Sequence, residues 1–203
     1  MLLPRRALLA ATVFALPLAS NARAQDTPPE RLRGTVARLS GDTLTVTTGG
    51  KDAAVTLDPG TRILLIAPAR MADVKPGSFI GTAAMPQPDG TLMAMEIQVF
   101  PESMRGVGEG HRPWDLRPGS TMTNGTVGTV TGTSGRRLTM TYKGGAQTVT
   151  VPPEAPVITY ARASRAALVP GAHVIVGLKP AGGSGGLHAL YIGVGKDGLT
   201  PPM

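Results

Sequence analysis

The 203-residue sequence contains no cysteine. Thiol nucleophiles, haem attachment through C-x-x-C-H and cysteine-based metal sites are therefore excluded. Aromatic residues make up 3% of the chain, with Trp114 the single tryptophan. Proteins that bind single-stranded nucleic acid stack bases on exposed rings along a basic groove. Here most of the few rings fall at expected core positions, so nucleic acid is not an expected partner. Charged residues are equally sparse at 16%, and there are only three histidines. Neither the G-x-S-x-G turn nor S-x-x-K occurs. The inventory for an enzyme is thin, and the reading assigns no catalytic residue, no cofactor and no cofactor-binding residue. Gly106-Val107-Gly108-Glu109-Gly110 looks like a phosphate-binding glycine loop, but such a loop follows a strand and opens a helix. Pro101 precedes it and His111-Arg112-Pro113 follows, so no helix starts there.

Long apolar runs are also missing. The longest, Ala7 to about Leu18, is shorter than the roughly 20 residues that span a bilayer. It follows Arg5-Arg6 and leads to Ala22-Arg23-Ala24, an A-x-A site before Gln25, which reads as a secretory signal. The expected product is exported, soluble and periplasmic, not an integral membrane protein. Loss of the signal removes Arg5, Arg6 and Arg23, and the formal charge falls from +7 to +4. No block of consecutive basic residues accompanies that mild excess.

What the chain does contain is glycine (27) and proline (19), which disfavour long helices and suit short strands joined by turns. It also contains a repeat. Gly34-Thr35-Val36 matches Gly125-Thr126-Val127. Ala72-Asp73-Val74-Lys75-Pro76-Gly77 answers Ala167-Leu168-Val169-Pro170-Gly171. Leu92, Ala94, Ile97 and Val99 answer Leu187, Ala189, Ile192 and Val194. Three match points in one order imply a tandem duplication. Each unit is small enough to be only marginally able to bury its own core, so the two are expected to pack together or share a face. Gly34–Leu39, Thr43–Thr47 and Ala54–Leu57 alternate apolar with polar residues, as strands with one buried face do. A fuller apolar strand follows at Arg62–Ile66, then a short helical connection at Met71–Val74, or Ser164–Leu168 in the second copy, and two more strands.

The predicted fold class is all-β, with two tandem OB-like barrels (β-β-β-short helix-β-β) after a signal peptide. Residues 1–24 form the signal, 25–31 an N-terminal segment, 32–100 the first barrel, 101–123 an ordered connector, 124–195 the second barrel and 196–203 a tail. The G-T-V opening, the V-x-P-G step, the closing A-x-x-I-x-V strand and the joining segment Glu109–Asp115 resemble exported bacterial proteins of a domain family of unknown function. That resemblance implies the architecture and no particular activity. Similar sequences are sometimes labelled metal transporter permeases; this sequence contradicts the label, since it has no helix-length apolar segments to span a membrane repeatedly.

The joining segment concentrates the candidate residues. Glu109, His111 and Asp115 carry donor types that bind metals, although Arg112 places a fixed positive charge among them. Met93 and Met95, two apart on a predicted strand, form a candidate thioether pair for a soft metal such as copper(I), or ordinary packing. The structural alternative makes Arg112, Trp114 and Asp115 interface residues: Trp114 inserts between the two units, and Arg112 pairs with Glu109 or Asp115. The expected function is a non-enzymatic binding or scaffolding protein for an envelope protein, polymer or small ligand, with a periplasmic copper- or zinc-binding protein as the alternative. Any ligand site is expected at the seam made by the connector.

Overall fold

The computed structural model describes residues 31–132, 136–179 and 186–203. The expected signal lies outside them, as do residues 182–185 of Gly182-Gly183-Ser184-Gly185-Gly186, a glycine-rich run that reads in the sequence as the last hairpin loop of the second copy. The described chain is all-β, and its helical elements are three-residue turns. Its thirteen strands are β1 (Arg31–Ser40), β2 (Thr43–Thr48), β3 (Lys51–Pro68), β4 (Phe79–Pro86), β5 (Leu92–Ala94), β6 (Ile97–Val99) and β7 (Gly110–Pro113), then β8 (Thr121–Thr131), β9 (Arg137–Tyr142), β10 (Gly145–Thr150), β11 (Val157–Arg162), β12 (His173–Leu178) and β13 (Leu187–Gly195).

Turn chemistry sets the local pairing. Gly49 and Gly50, both at positive φ, make the two-residue turn between Thr48 and Lys51, the geometry a tight hairpin needs. The glycines of the two G-T-V openings have a packing reason. A Cβ on Gly34 would lie 2.1 Å from the Thr47 carbonyl oxygen, and one on Gly125 would lie 2.4 Å from that of Thr141. Only glycine lets β1 and β8 coil this closely over their hairpin partners.

Pairing runs β1–β2–β3–β13–β12 and back to β1, closing a five-stranded barrel in which β3 and β13 are parallel and the other pairs antiparallel. Its core is aliphatic, with Leu44, Val46, Val55, Val176, Ala189 and Ile192 fully or almost fully buried. Five of the remaining strands pair as β4–β5–β10–β9–β8 and return to β4, around Ile80, Ile97, Leu138, Met140 and Val149.

The pairings do not follow the expected division into a barrel at 32–100 and another at 124–195. The closed barrel takes β1–β3 from the first stretch and β12–β13 from the second, and the other ring takes β4–β5 from the first and β8–β10 from the second. The cause is the length of β3. At roughly 3.3 Å per residue, its 18 residues overrun the barrel. Its pairing with β2 ends at Thr56, and although β13 stays beside it as far as Ile66, its other edge at Leu64–Pro68 pairs with Arg162–Ile158 of β11, which in turn pairs with β6. The chain therefore emerges on the far side of a seam, where β4 meets β8. Expected strands at 54–57 and 62–66 are thus one strand. Asp58-Pro59-Gly60 fall where neither β2 nor β11 is paired, so Pro59 costs no ladder hydrogen bond.

Helical turns at Met71–Asp73 and Arg165–Ala167 fall within the expected short connections, the second capped by the Ser164 hydroxyl accepting from the Ala166 amide. A third cluster, Ile66, Phe79, Phe100, Ile158, Tyr160, Ile175 and Met203, fills the seam. The tail at 196–203 is part of this packing, since Pro201 and Met203 are buried. No described helix is long and apolar enough to cross a membrane.

Candidate functional site

A cavity of about 410 Å³ opens at the seam, in the size range of small-molecule sites. Strands β3, β11, β12 and β13 supply one side, through Leu64, Ile66, Tyr160, Ile175, Tyr191 and Gly193. The connector covers it with Met104, Val107, Gly108, Glu109, Arg112 and Trp114, while Gln98, Phe100, Met122 and Asn124 line the side nearer the second ring. Phe100 stacks on Tyr160 with centroids 5.3 Å apart, and Phe79 packs behind Phe100 in a tilted arrangement at 5.5 Å, which puts aromatic surface on this side of the cavity.

Trp114 lies with the Arg31 guanidinium over its ring, 3.7 Å from the centroid, and the Arg112 guanidinium 5.6 Å away. Arg112 does not pair with Glu109 or Asp115 as expected. Its guanidinium donates to the Gly108 carbonyl at 2.7 Å, because the turn through Gly108 folds that carbonyl back under it. Burial first, and then the charge of Arg31, push the Arg112 pKa down. Asp115 instead receives two hydrogen bonds from Arg33, at 2.9 and 3.2 Å, and lies 3.6 Å from Arg31. Partial burial pushes the Asp115 pKa up, but these arginines outweigh it and hold the carboxyl below its usual value. The connector is thereby tied to β1 of the closed barrel.

The metal candidates are separately engaged. The Glu109 carboxylate accepts from the Lys143 backbone amide at 3.0 Å. His111 Nδ1 is 2.8 Å from the Thr123 hydroxyl, with its ring stacked on Tyr142; burial and then the Arg112 charge lower its pKa and favour the neutral ring. Met93 pairs across β4 with Met85, and Met95 falls at a bend after β5. Among the described residues no three His, Asp or Glu side chains gather as metal ligands.

Sequence reasoning missed the polar chain beside the cavity. Glu96 is fully buried, and its Oε1 accepts from Gln98 Nε2 at 2.6 Å; the Gln98 carbonyl oxygen in turn accepts from the Tyr160 hydroxyl at 2.7 Å. Burial raises the Glu96 pKa to about 7, against the Gln98 hydrogen bond and the Arg33 charge. Burial, then the charges of Glu96 and Tyr191, raises that of Tyr160 well above its ordinary value. The missed signal was Leu92-Met-Ala-Met-Glu-Ile-Gln-Val, an acid set inside an otherwise apolar strand.

Among the described residues, four buried side-chain atoms have no hydrogen-bond partner: Arg31 Nε, Trp114 Nε1, Asn124 Oδ1 and Glu96 Oε2. Arg31, Trp114 and Asn124 line the cavity, and Glu96 is one hydrogen bond behind Gln98. Unsatisfied buried polar atoms are few in native proteins and each calls for a reason. Comparisons with family models, with curated proteins and with solved structures found no match.

Proposed function

We propose that this chain is a non-enzymatic binding protein whose ligand occupies the seam cavity. The class is a β-barrel carrier or receptor. The particular reading is an exported, periplasmic protein of two duplicated OB-like units that exchange their closing strands, acting on a small ligand of the cell envelope. The observation that carries it is the cavity with unpartnered donors and an acceptor in an otherwise apolar wall, the pattern of a site that holds a ligand by shape and orients it with a few polar groups. The A-x-A signal at Ala22–Ala24 supports export. The match points around Gly34 and Gly125 support duplication, as does the shared placement of the parallel strand pair in each ring. The resemblance to exported bacterial proteins agrees with both.

Nile red, a neutral apolar dye, tests the reading without any bias from charge. One equivalent per chain is expected to gain fluorescence saturably, and Val107→Phe, which fills the mouth, to abolish the gain. Absence of saturable binding, or binding untouched by that substitution, overturns the proposal.

A further inference from the structure

The charged groups around the cavity are unequal. Arg31, Arg62 and Arg112 line it against a single acidic side chain, Glu109, whose carboxylate is already committed to the Lys143 amide, while the Met203 main-chain oxygen is taken by Arg33 at 2.7 Å. Arg62 pairs through its backbone with Tyr191, and its side chain makes no hydrogen bond or ion pair to another described residue. Arg31 is the informative one. Its side chain is only 4% exposed and Asp115 reaches one terminal nitrogen at 3.6 Å, yet its Nε has no acceptor. The indole Nε1 of Trp114, on which Arg31 rests, is a second buried donor with none. A water-excluded pair of donors beside two guanidinium groups is costly when empty, and an acceptor of negative charge satisfies it best. The lining also includes the side chains of Leu64, Ile66, Phe100, Ile175 and Met203, which offer a chain of carbon atoms dispersion contacts.

We infer that the cavity takes an amphiphile with one apolar chain and a carboxylate head, the head held by Arg31 Nε and Trp114 Nε1 and the chain laid along the aliphatic and aromatic wall. This rests on the seam cavity being a ligand site. It adds which chemistry the site selects: a planar carboxylate matches the fork of a guanidinium, whereas a neutral or cationic head leaves both donors unmet. Arg112 and Arg62 add charge that draws the head to this end. Asn124 Oδ1 remains as an acceptor for a hydroxyl on the chain.

Trp114 is the single tryptophan, so its emission reports the head-binding end directly. The chain is titrated with decanoate, decanol and decyltrimethylammonium below their micellar ranges. Decanoate is expected to change the emission saturably and to bind at least about tenfold more tightly than the other two, the scale of one hydrogen bond to a charged group. Arg31→Gln is expected to remove that preference. Because Arg31 also packs on Trp114, Arg62→Gln serves as the second variant: it should weaken decanoate several-fold and by a clearly larger factor than it weakens decanol. Decanol binding as tightly as decanoate, or decanoate affinity unmoved by both substitutions, overturns the carboxylate and leaves the cavity reading standing. Failure of Nile red as well as all three alkyl probes removes both.

Discussion

In the closed barrel, the cross-strand pair facing the seam is Ile175 with Gly193; in the second ring the corresponding pair, one step past the Ile80–Val99 register, is Gly81 with Gln98. One residue before Gly193 and Gln98 along their strands stand Ile192 and Ile97, each fully buried in its own ring's core. Two residues before them stand Tyr191 and Glu96. The two rings keep aliphatic interiors and differ where they meet: the closed barrel presents Ile175, Gly193 and Tyr191, and the second ring's side presents Gln98 with Glu96 behind it, linked to the Tyr160 hydroxyl of β11. Such a difference is what a site between two related halves requires: each half holds its fold with the residues pointing inward and is free to specialise with those pointing at its neighbour.

The comparison can be broken most severely in the cores. Leu44→Ala in the closed barrel and Leu138→Ala in the second ring each remove a fully buried side chain, and each is expected to cost about 2–5 kcal/mol. Because each ring contains strands from both halves of the chain, both variants should melt in one transition by calorimetry. A ring that melts separately would show the two rings to be independent.

The next effect isolates Glu96. Its carboxyl titrates near its ordinary 4.5 in the unfolded chain and at about 7 in the folded one. Below pH 4.5 both states carry the proton and nothing is lost. As pH rises from there to about 7 the unfolded chain releases it while the folded chain retains it, so stability falls across that window, by about 3 kcal/mol in all. Denaturant unfolding from pH 4 to 8 should show the decline, and Glu96→Gln should flatten that part of the profile. A wild-type profile already flat there would mean that Glu96 is solvated, and the two walls less different than they stand.

The smallest effect lies at the tie between connector and barrel. Asp115 is part-exposed, so Asp115→Asn should cost at most about 1 kcal/mol. It should nonetheless shift Trp114 emission, because Asp115 is the carboxylate 3.6 Å from Arg31, whose guanidinium lies over that ring. An unmoved spectrum would separate Arg31 from Asp115 in solution.

Much of this was legible as period and punctuation. The alternation of Thr43–Thr48 and the Gly49-Gly50 turn are local signals, and they specify a hairpin whatever surrounds it. Ring membership was not legible, because alternation says that a strand has a buried face and not which neighbour buries it. The length of β3 decided that, and Pro59-Gly60 disguised it as two strands. At the site, Trp114 drew notice as a rare residue at an unrepeated position. Arg31 and Asn124 carried no signal, since an arginine at the start of a strand and an asparagine before a glycine are ordinary, and only the fold reveals them as buried and unpartnered. Glu96 did carry one, in the apolar residues on either side of it.

The exchange of strands has a topological consequence. A cut anywhere between Pro101 and Gly108 yields two fragments, each of which still threads both rings: the first donates β1–β3 to one and β4–β5 to the other, and the second donates the complements. Neither fragment holds a complete barrel, and neither can leave without opening both. A nicked molecule therefore stays one particle, and two separately made halves would have to fold around each other rather than fold first and dock afterwards.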